Sequence, residues 1–345
     1  MIFLTSSVMP TVSINLALNE NQCLAGEEVY AKVLLDSADP DTKVVEFFVD
    51  ICGSGHTKWV NVRTDKIFDT HRNYFDLRIP LMANGSPMPV GRHQFPIRFR
   101  IPESAPSSYE SQFGTIRYTI KVVLKTNSEQ STCTEVFPLN VISRSYFDEL
   151  PQATLQELRY CDEVEFTCCA LPLGVVYLYV VLPRMAYFVG ETLSCTVKVH
   201  NRSQKTLKHF TLHIILKTAF EAASRYEHMV ERKYVEQEIE TILLGNIRSR
   251  TSAQFSDCLM RIPETTPPSQ CLNKESGLPN IIAFTYALRV SALPGIEMET
   301  PLIITARGFK DICYMNPLER DRQIHLNANS SFIASSSNEI FGRCK

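Results

Sequence analysis

The stretch from Met88 to Pro102 reads MPVGRHQFPIRFRIP, and it is the part of the chain that decides the fold. Two further blocks follow it closely, SYE at residues 108–110 and GTIRYTIK at residues 114–121. Apolar and polar residues alternate through these blocks, and proline and glycine interrupt the alternation. Alternation with period two predicts β-strands, and the interruptions predict turns between them. The stretch therefore predicts successive short strands of an antiparallel sandwich.

The rest of the first half has the same character. Turn-forming residues are concentrated at 84–87 and 102–106, between alternating or apolar segments. Regular short strands separated by such turns predict one β-sandwich in this half of the chain. The strands are predicted over residues 12–18, 29–35, 44–51, 74–79, 95–101, 115–124 and 135–142.

The second half begins with a connector, predicted over residues 146–170, with one short helical turn expected at 155–158. Residues 175–182 form a nearly continuous apolar run, which predicts a strand covered on both faces. Residues 221–240 are ambiguous between helix and strand because charged residues are dense there, and we predict a strand over 235–243. The other strands are predicted over residues 194–200, 210–216, 281–290 and 301–305.

An internal repeat relates the two halves of the chain. A Gly-Glu turn at Gly26 and another at Gly190 each lead into an alternating strand, and they are 164 residues apart. The repeat predicts two related modules in tandem. We therefore predict an all-β chain of two immunoglobulin-like antiparallel β-sandwiches, over residues 9–145 and 171–307, followed by a short disordered tail at 308–345.

The composition excludes several classes of protein. A chain of 345 residues with 44% apolar residues is large enough for two packed cores, and its net charge of −2 gives no basic excess for nucleic-acid binding. The longest apolar run is broken by Pro172 and Gly174 and is shorter than a membrane span requires. The amino terminus lacks the charged start and the long apolar run of a secretory signal, so we expect a cytoplasmic protein whose 11 cysteines are mostly reduced.

The blocks between residues 88 and 121 resemble the alpha-arrestins, the family of arrestin-domain-containing adaptor proteins. The family pattern runs L-P-x-G-x-H-x-F-P-F-x-F-x-L-P, then S-Y/F-E, then G-x-I/V-R-Y-x-V-K, and nearly all of it is present. The resemblance covers about residues 10–307 and is weaker in the second half. The motif residues that we expect to be structural are Trp59, Gly91, His93, Phe95, Pro96, Gly114 and Tyr118.

The resemblance implies a cytosolic adaptor that binds membrane-protein cargo tails and trafficking proteins in endocytosis and endosomal sorting. Peripheral contact with the plasma membrane and endosomes is part of this expectation. Many members recruit ubiquitin ligases through a P-P-x-Y motif, but the Pro267-Pro268 pair lacks the tyrosine and no such motif is present. A ubiquitin ligase is therefore an open partner. No catalytic role, cofactor or metal is expected, since the chain lacks H-E-x-x-H, G-x-S-x-G and a glycine-rich phosphate loop.

Two alternatives stay open from the sequence. A retromer-type coat subunit also has an arrestin fold. It carries a strand with an adjacent arginine and tyrosine, like Arg117 and Tyr118 here, which we call the R-Y strand. A thiol-based redox protein is the alternative from a different class, and it would use Cys161, Cys168 and Cys169 of the connector. Their spacing does not match the paired cysteines of zinc sites, and no histidine is near them.

The candidate partner-binding residues are basic. Lys198, Arg202, Lys205 and Lys208 lie on and after one predicted strand, where a tight turn would bring them together to meet phosphorylated tails or anionic lipid headgroups. An ordinary solvated hairpin is the simpler explanation. Arg117 lies in the R-Y strand, where we expect its guanidinium to pair with a carboxylate, and a phosphate contact is the alternative.

Overall fold

A computed structural model describes residues 12–19, 22–38, 42–127, 132–144, 150–169, 171–225, 229–270 and 280–306. Strands dominate these residues, with one short 3-10 helix at Gln152–Leu155. The predicted tail at 308–345 lies outside the described residues. The strands are β1 (Val12–Leu18), β2 (Gln22–Leu24), β3 (Glu28–Ser37), β4 (Val44–Asn61), β5 (Lys66–Met82), β6 (Gly91–Arg100), β7 (Tyr109–Glu110), β8 (Gly114–Thr126), β9 (Thr132–Ile142), β10 (Leu158–Cys168), β11 (Leu171–Leu182), β12 (Ala186–Phe188), β13 (Thr192–Asn201), β14 (Leu207–Ala223), β15 (Val230–Ile247), β16 (Thr251–Arg261), β17 (Ile282–Leu293) and β18 (Ile296–Thr305).

The first sandwich is built from two sheets. One has the strand order β1-β3-β6, and the other has the order β2-β9-β8-β4-β5 with β7 paired to β8. In β3 buried residues alternate with more exposed ones, so one face of the strand lies against the core, as the period of two predicts. Phe47 of β4 meets Phe95 of β6 edge to face at 5.1 Å between the ring centres. These rings belong to different sheets, so the apolar faces of the two sheets meet there.

The second sandwich also has two sheets in the described residues, with the orders β10-β11-β13-β16 and β12-β18-β17-β14-β15. Its core includes Phe210 of β14 stacked on Phe255 of β16, with 5.8 Å between the ring centres. The two rings again come from different sheets. The predicted fold class, an all-β chain with two tandem sandwiches, is confirmed.

The chain forms two compact units. The first unit contains the described residues up to Arg144 and two later segments, 218–235 and 270–284. The second unit contains the described residues of 145–217, 236–269 and those from Thr285 onward. The domain boundaries at 145 and 171 given by the sequence stay a prediction.

The internal repeat is visible in the strand pairing. Each sandwich contains a three-residue strand that precedes the Gly-Glu turn and pairs in parallel, β2 with β9 and β12 with β18. The two turn glycines have positive φ values, 86° at Gly26 and 76° at Gly190. Glycine adopts such a conformation without the clash that a Cβ would cause. The repeat therefore reflects a shared backbone turn at the same place in the two sandwiches.

The structure shows a second part of the repeat. Ile101-Pro102-Glu103 and Ile262-Pro263-Glu264 each follow a long strand of their sandwich and lead into a proline-containing loop. Both loops are held by a buried tyrosine, since the Tyr118 hydroxyl donates to the Pro106 carbonyl at 2.8 Å and the Tyr286 hydroxyl donates to the Pro267 carbonyl. The two sandwiches therefore use the same tyrosine-to-loop hydrogen bond.

The predicted connector is wrong in one respect, because residues 158–168 form strand β10. This strand lies at the end of its sheet and pairs only with β11 in the described residues. Most of its side chains are exposed on both faces, including Asp162, Glu163 and Glu165. An edge strand of this kind has no apolar face to generate a periodic pattern, so the sequence lacked the signal.

Three other local predictions need correction or extension. Residues 175–182 are not covered on both faces, because Val176, Leu178 and Val180 are buried while Tyr179 is 38% exposed. The predicted helical turn lies three residues earlier, at Gln152–Leu155. The strand predicted over residues 235–243 is present, and it extends over Val230–Ile247.

Candidate functional site

A buried asparagine organises one end of the second unit. Asn201, the last residue of β13, is only 1% exposed. Its amide nitrogen donates to the Lys205 carbonyl at 2.8 Å and to the Arg248 carbonyl at 3.0 Å. Its amide oxygen accepts from the Ser203 backbone at 3.0 Å and from the Ser203 hydroxyl at 2.6 Å. With its polar atoms all bonded, this side chain ties the turn after β13 to the turn between β15 and β16.

The two turns bring basic residues together. Arg202 and Lys205 lie in the first turn, and Lys208 follows at the start of β14. Arg248 and Arg250 lie in the second turn, where the Arg250 backbone donates to the Ser203 carbonyl at 3.2 Å. All five are exposed. We call this set the basic end, and it consists of Arg202, Lys205, Lys208, Arg248 and Arg250.

The structure thus adds two residues to the predicted set and sets one apart. Arg248 and Arg250 were not predicted, because they are more than 40 residues from Lys205 in the chain. Lys198 is also exposed, but it lies within β13, opposite Tyr179 of β11 and Gln254 of β16. It belongs to the outer face of the sheet and not to the turns.

The charges of the basic end are not neutralised by neighbouring carboxylates. Within the described part of the chain, none of its five residues forms an ion pair, whereas Arg78, Arg184 and Arg289 all do. The guanidinium of Arg202 lies 5.5 Å from the ring centre of Tyr177, a distance typical of a cation–π contact. Unpaired cations on a rigid turn can form charge-assisted hydrogen bonds with phosphate or carboxylate groups. The arrangement is therefore suited to binding an anion.

A glycine in β11 allows the first turn to lie this close to the sheet. Gly174 has a φ of +105°, and a Cβ there would lie 2.8 Å from the Arg202 carbonyl oxygen. The Arg202 amide donates to the Val175 carbonyl at 2.9 Å, and the Gln204 amide donates to the Leu173 carbonyl at 2.8 Å. The absence of a side chain at Gly174 therefore lets the backbone of the turn bond directly to β11.

Replacing Gly174 by alanine is expected to lower the free energy of unfolding by about 3 kcal/mol, because the new Cβ meets main-chain atoms and the backbone conformation disfavours a side chain. Gly245→Ala is the matched control, since Gly245 also has a positive φ but its Cβ would meet nothing within 4 Å. We expect about 1 kcal/mol there. Denaturant titration measures both values, and equal losses for the two variants would contradict the role given to Gly174.

Arg117 has a different environment in the first unit. Its guanidinium is bound by the Glu110 carboxylate through two hydrogen bonds, one of which is 2.8 Å long. This hydrogen bond with Arg117 lowers the pKa of Glu110. An open groove of about 400 Å³ lies beside the pair and is also lined by Tyr109, Pro138 and Asn140. Because Glu110 already neutralises Arg117, this position is less suited to binding an anion than the basic end.

Three of the motif residues shape the β4–β5 hairpin and its surroundings. Trp59 is 6% exposed, and its ring stacks on Phe68 with 6.0 Å between the ring centres. Its indole nitrogen donates to the Glu231 carboxylate at 3.1 Å. Gly114 is buried, and a Cβ there would lie 2.9 Å from the Thr57 methyl group. Tyr118 holds the loop at Pro106 through the hydrogen bond described above.

The remaining motif residues lie on β6. Gly91 has a φ of +86°, a backbone conformation that is unfavourable for a residue with a side chain. The His93 ring bonds through Nε2 to the Val90 carbonyl at 2.9 Å. Phe95 packs between the sheets, and Pro96 is exposed. These contacts describe a structural block, with no serine or cysteine nucleophile bonded to His93 in the described residues.

The connector cysteines are exposed but do not form one cluster. Cys161 is seven residues from Cys168 along β10, a separation of about 23 Å in a strand. They therefore cannot share a metal ion or form a disulfide with each other. Among the described residues, no group of three or more histidine, cysteine or carboxylate side chains is placed to hold a metal ion.

Comparison with known proteins places the chain in a family. The model described as "Arrestin (or S-antigen), N-terminal domain" matches residues 12–143, and "Arrestin (or S-antigen), C-terminal domain" matches residues 173–308. The chain belongs to the arrestin-domain family. The predicted resemblance is thereby confirmed. The two matches correspond in order to the two sandwiches of this arrestin-domain protein.

Individual relatives with the arrestin-domain name are found in more than one organism. Arrestin domain-containing protein 15 of Caenorhabditis elegans is 48% identical over 332 residues, which cover 96% of this chain and 87% of that protein. Arrestin domain-containing protein 17 of the same organism is 25% identical over 309 residues, which cover 83% of this chain and 68% of that protein. Arrestin domain-containing protein 5 of Homo sapiens is 20% identical over 334 residues, which cover 90% of this chain and 94% of that protein.

One further finding concerns membranes. In the portion of the chain that the structure describes, no helix has the length and apolar character that crossing a bilayer would require.

Proposed function

We propose that this arrestin-domain protein is a cytosolic adaptor that recognises membrane-protein cargo and helps to sort it during endocytosis and endosomal transport. Membership of the family supports a binding role without catalysis. The observation that carries the proposal is the basic end, a rigid set of exposed cations that have no carboxylate partners in the described residues. Cytoplasmic tails of cargo and the membranes that hold them both present anionic groups, which such a surface attracts.

The experiment is proximity labelling in cells with the full chain and two charge-reversed variants. The test variant is Lys205→Glu with Arg250→Glu, at the basic end. The control is Lys32→Glu with Lys121→Glu, which changes the net charge equally at two exposed positions of the first unit. We expect membrane cargo and endosomal proteins to be labelled by the native chain and by the control, and their labelling to fall at least about fivefold in the test variant.

Other outcomes would decide against the proposal. If no membrane or endosomal proteins are labelled, the proposed adaptor function is contradicted. Retromer subunits as the dominant labelled proteins would instead favour a coat subunit. A chain cut after Arg307 separates the contribution of the carboxy-terminal segment from that of the two sandwiches.

A further inference from the structure

The hairpin between β10 and β11 exposes two thiols and an apolar side chain at its tip. Cys168 pairs with Leu171 at the end of the ladder, and Cys169 turns the chain with a φ of +48°. Both cysteines are exposed, and Leu171 is 68% exposed. We call Cys168, Cys169 and Leu171 the hairpin tip. An apolar residue and two adjacent thiols gain nothing from this exposure to water, so the tip is suited to an apolar environment outside the protein.

The other described cysteines are less accessible to reagents. Burial raises the pKa of the Cys195 thiol to about 12, and it also raises the pKa of Cys258, Cys52 and Cys133. Thiols of this kind are poor nucleophiles at neutral pH. Among the described cysteines, Cys161, Cys168 and Cys169 are the exposed ones. Cys161 lies within the strand opposite Tyr179, away from the tip.

The hairpin tip and the basic end lie at the same end of the second unit. The Gln204 amide, in the turn that carries Arg202 and Lys205, donates to the Leu173 carbonyl at 2.8 Å. Leu173 is only two residues after Leu171 in the same strand. An exposed apolar tip with two exposed thiols is thus directly flanked by cations that have no carboxylate partner in the described residues.

We propose that Cys168 and Cys169 are acceptors for S-acylation by long-chain fatty acids, and that the acyl chains and the basic end together hold the second unit on an anionic membrane. One lipid chain alone gives marginal, reversible membrane binding, and a second chain or a polybasic patch makes it stable. This end of the unit has two acceptor thiols and the polybasic patch. A modification site goes beyond the adaptor function, which is tested separately by the labelling experiment above.

The reaction is a transthioesterification with a long-chain acyl-CoA as donor. The cysteine sulfur attacks the thioester carbonyl carbon and forms the new carbon–sulfur bond, and the bond to the coenzyme A sulfur breaks. The proton of the cysteine thiol ends on the released coenzyme A thiol, and no atom is oxidised or reduced. A membrane-bound acyltransferase would deliver the acyl group to a tip that projects from the sheet.

The apolar tip favours a membrane over a phosphorylated peptide as the ligand of this end. A phosphopeptide would pair with the cations but would leave the exposed Leu171 side chain in water. A bilayer offers anionic headgroups to the cations and an apolar layer to the tip at the same time. Both ligands are included in the test below, so the two can be told apart.

The first experiment maps thioesters in the full chain isolated from cells. Hydroxylamine cleaves thioesters, and the freed thiols are then labelled and assigned to peptides by mass spectrometry. We expect hydroxylamine-dependent label on the peptide that contains Cys168 and Cys169. The Cys168→Ser/Cys169→Ser variant should lose that label and fall at least about tenfold in its membrane-bound fraction, whereas Cys161→Ser should retain both. No label on the tip peptide of the native chain, or an unchanged membrane fraction in the double variant, overturns the proposal.

The second experiment tests the basic end on purified, unacylated full chain. Vesicles of phosphatidylcholine alone are compared with vesicles that also contain phosphatidylserine, and a doubly phosphorylated serine peptide is added as competitor. We expect binding to require phosphatidylserine and to weaken about tenfold or more in Lys205→Glu/Arg250→Glu but not in Lys32→Glu/Lys121→Glu. Binding of the peptide with no phosphatidylserine-dependent vesicle binding would overturn the membrane assignment.

Discussion

Replacing Tyr118 by alanine is expected to lower the free energy of unfolding of the first unit by about 4 kcal/mol. The side chain is 2% exposed, and its hydroxyl holds the loop at Pro106. Its ring lies where a Cβ on Gly53 would be only 2.3 Å away, so the ring fills space that the neighbouring strand leaves open for it. Denaturant titration gives the free energy of unfolding of the whole chain. Hydrogen exchange at β4 and β8 then shows whether the stability is lost in this unit.

A conservative change separates the ring from the hydroxyl. Burial raises the pKa of Tyr118, so the hydroxyl stays protonated and donates to the Pro106 carbonyl at neutral pH. Tyr118→Phe should therefore cost about 1–2 kcal/mol, the price of leaving that carbonyl without its donor. Tyr286→Phe should cost about the same in the second unit, where the hydroxyl donates to Pro267. If Tyr118→Phe and Tyr118→Ala lower the free energy of unfolding equally, packing of the ring is not the main contribution of Tyr118 to stability.

The fold was predictable where a strand has one buried face. In β3, β8 and β13 the buried residues recur at every second position, and this period is visible in the sequence. The Gly-Glu turns were also predictable, because Gly26 and Gly190 adopt positive φ values that glycine accommodates. The edge strand β10 was not, since its Asp162, Glu163 and Glu165 are exposed and give no apolar period.

The candidate site was only half predictable for a different reason. Arg202 and Lys205 are close in the chain, so a turn was enough to group them. Arg248 is brought to them by the Asn201 side chain, and a single sequence carries no information on that long-range hydrogen bond. The exposure of the hairpin tip was likewise hidden, because Cys168 and Cys169 lie in a segment predicted to be a connector.

Arg289 is the centre of a network of ion pairs in the second unit. Its guanidinium lies 2.6 Å from Glu236 and 2.6 Å from Glu299, and Lys217 also binds Glu299 at 2.5 Å. Arg289→Met should lower the free energy of unfolding by about 2 kcal/mol at pH 7, because it leaves two carboxylates without their main partner. Fully buried pairs lose more when one partner is removed, but Glu236 and Glu299 keep part of their contact with water.

The pH dependence gives this prediction its sharper test. The hydrogen bond from Arg289 lowers the pKa of Glu236. At Glu299 burial acts to raise the pKa, but the hydrogen bonds from Lys217 and Arg289 together outweigh burial, so the pKa of Glu299 is also lowered. An unfolded glutamate has a pKa of about 4.3, so the stability from these groups is fully present above that pH and is lost as the pH falls through their folded values. The difference in free energy of unfolding between the native chain and Arg289→Met should therefore become smaller between pH 7 and pH 3, as measured by urea titration.

Arg159→Met, which removes an exposed pair with Glu157, is the control and should show little change in free energy of unfolding at either pH. A difference that stays constant across this range would mean that Arg289 acts through packing of its aliphatic stem and not through its charge.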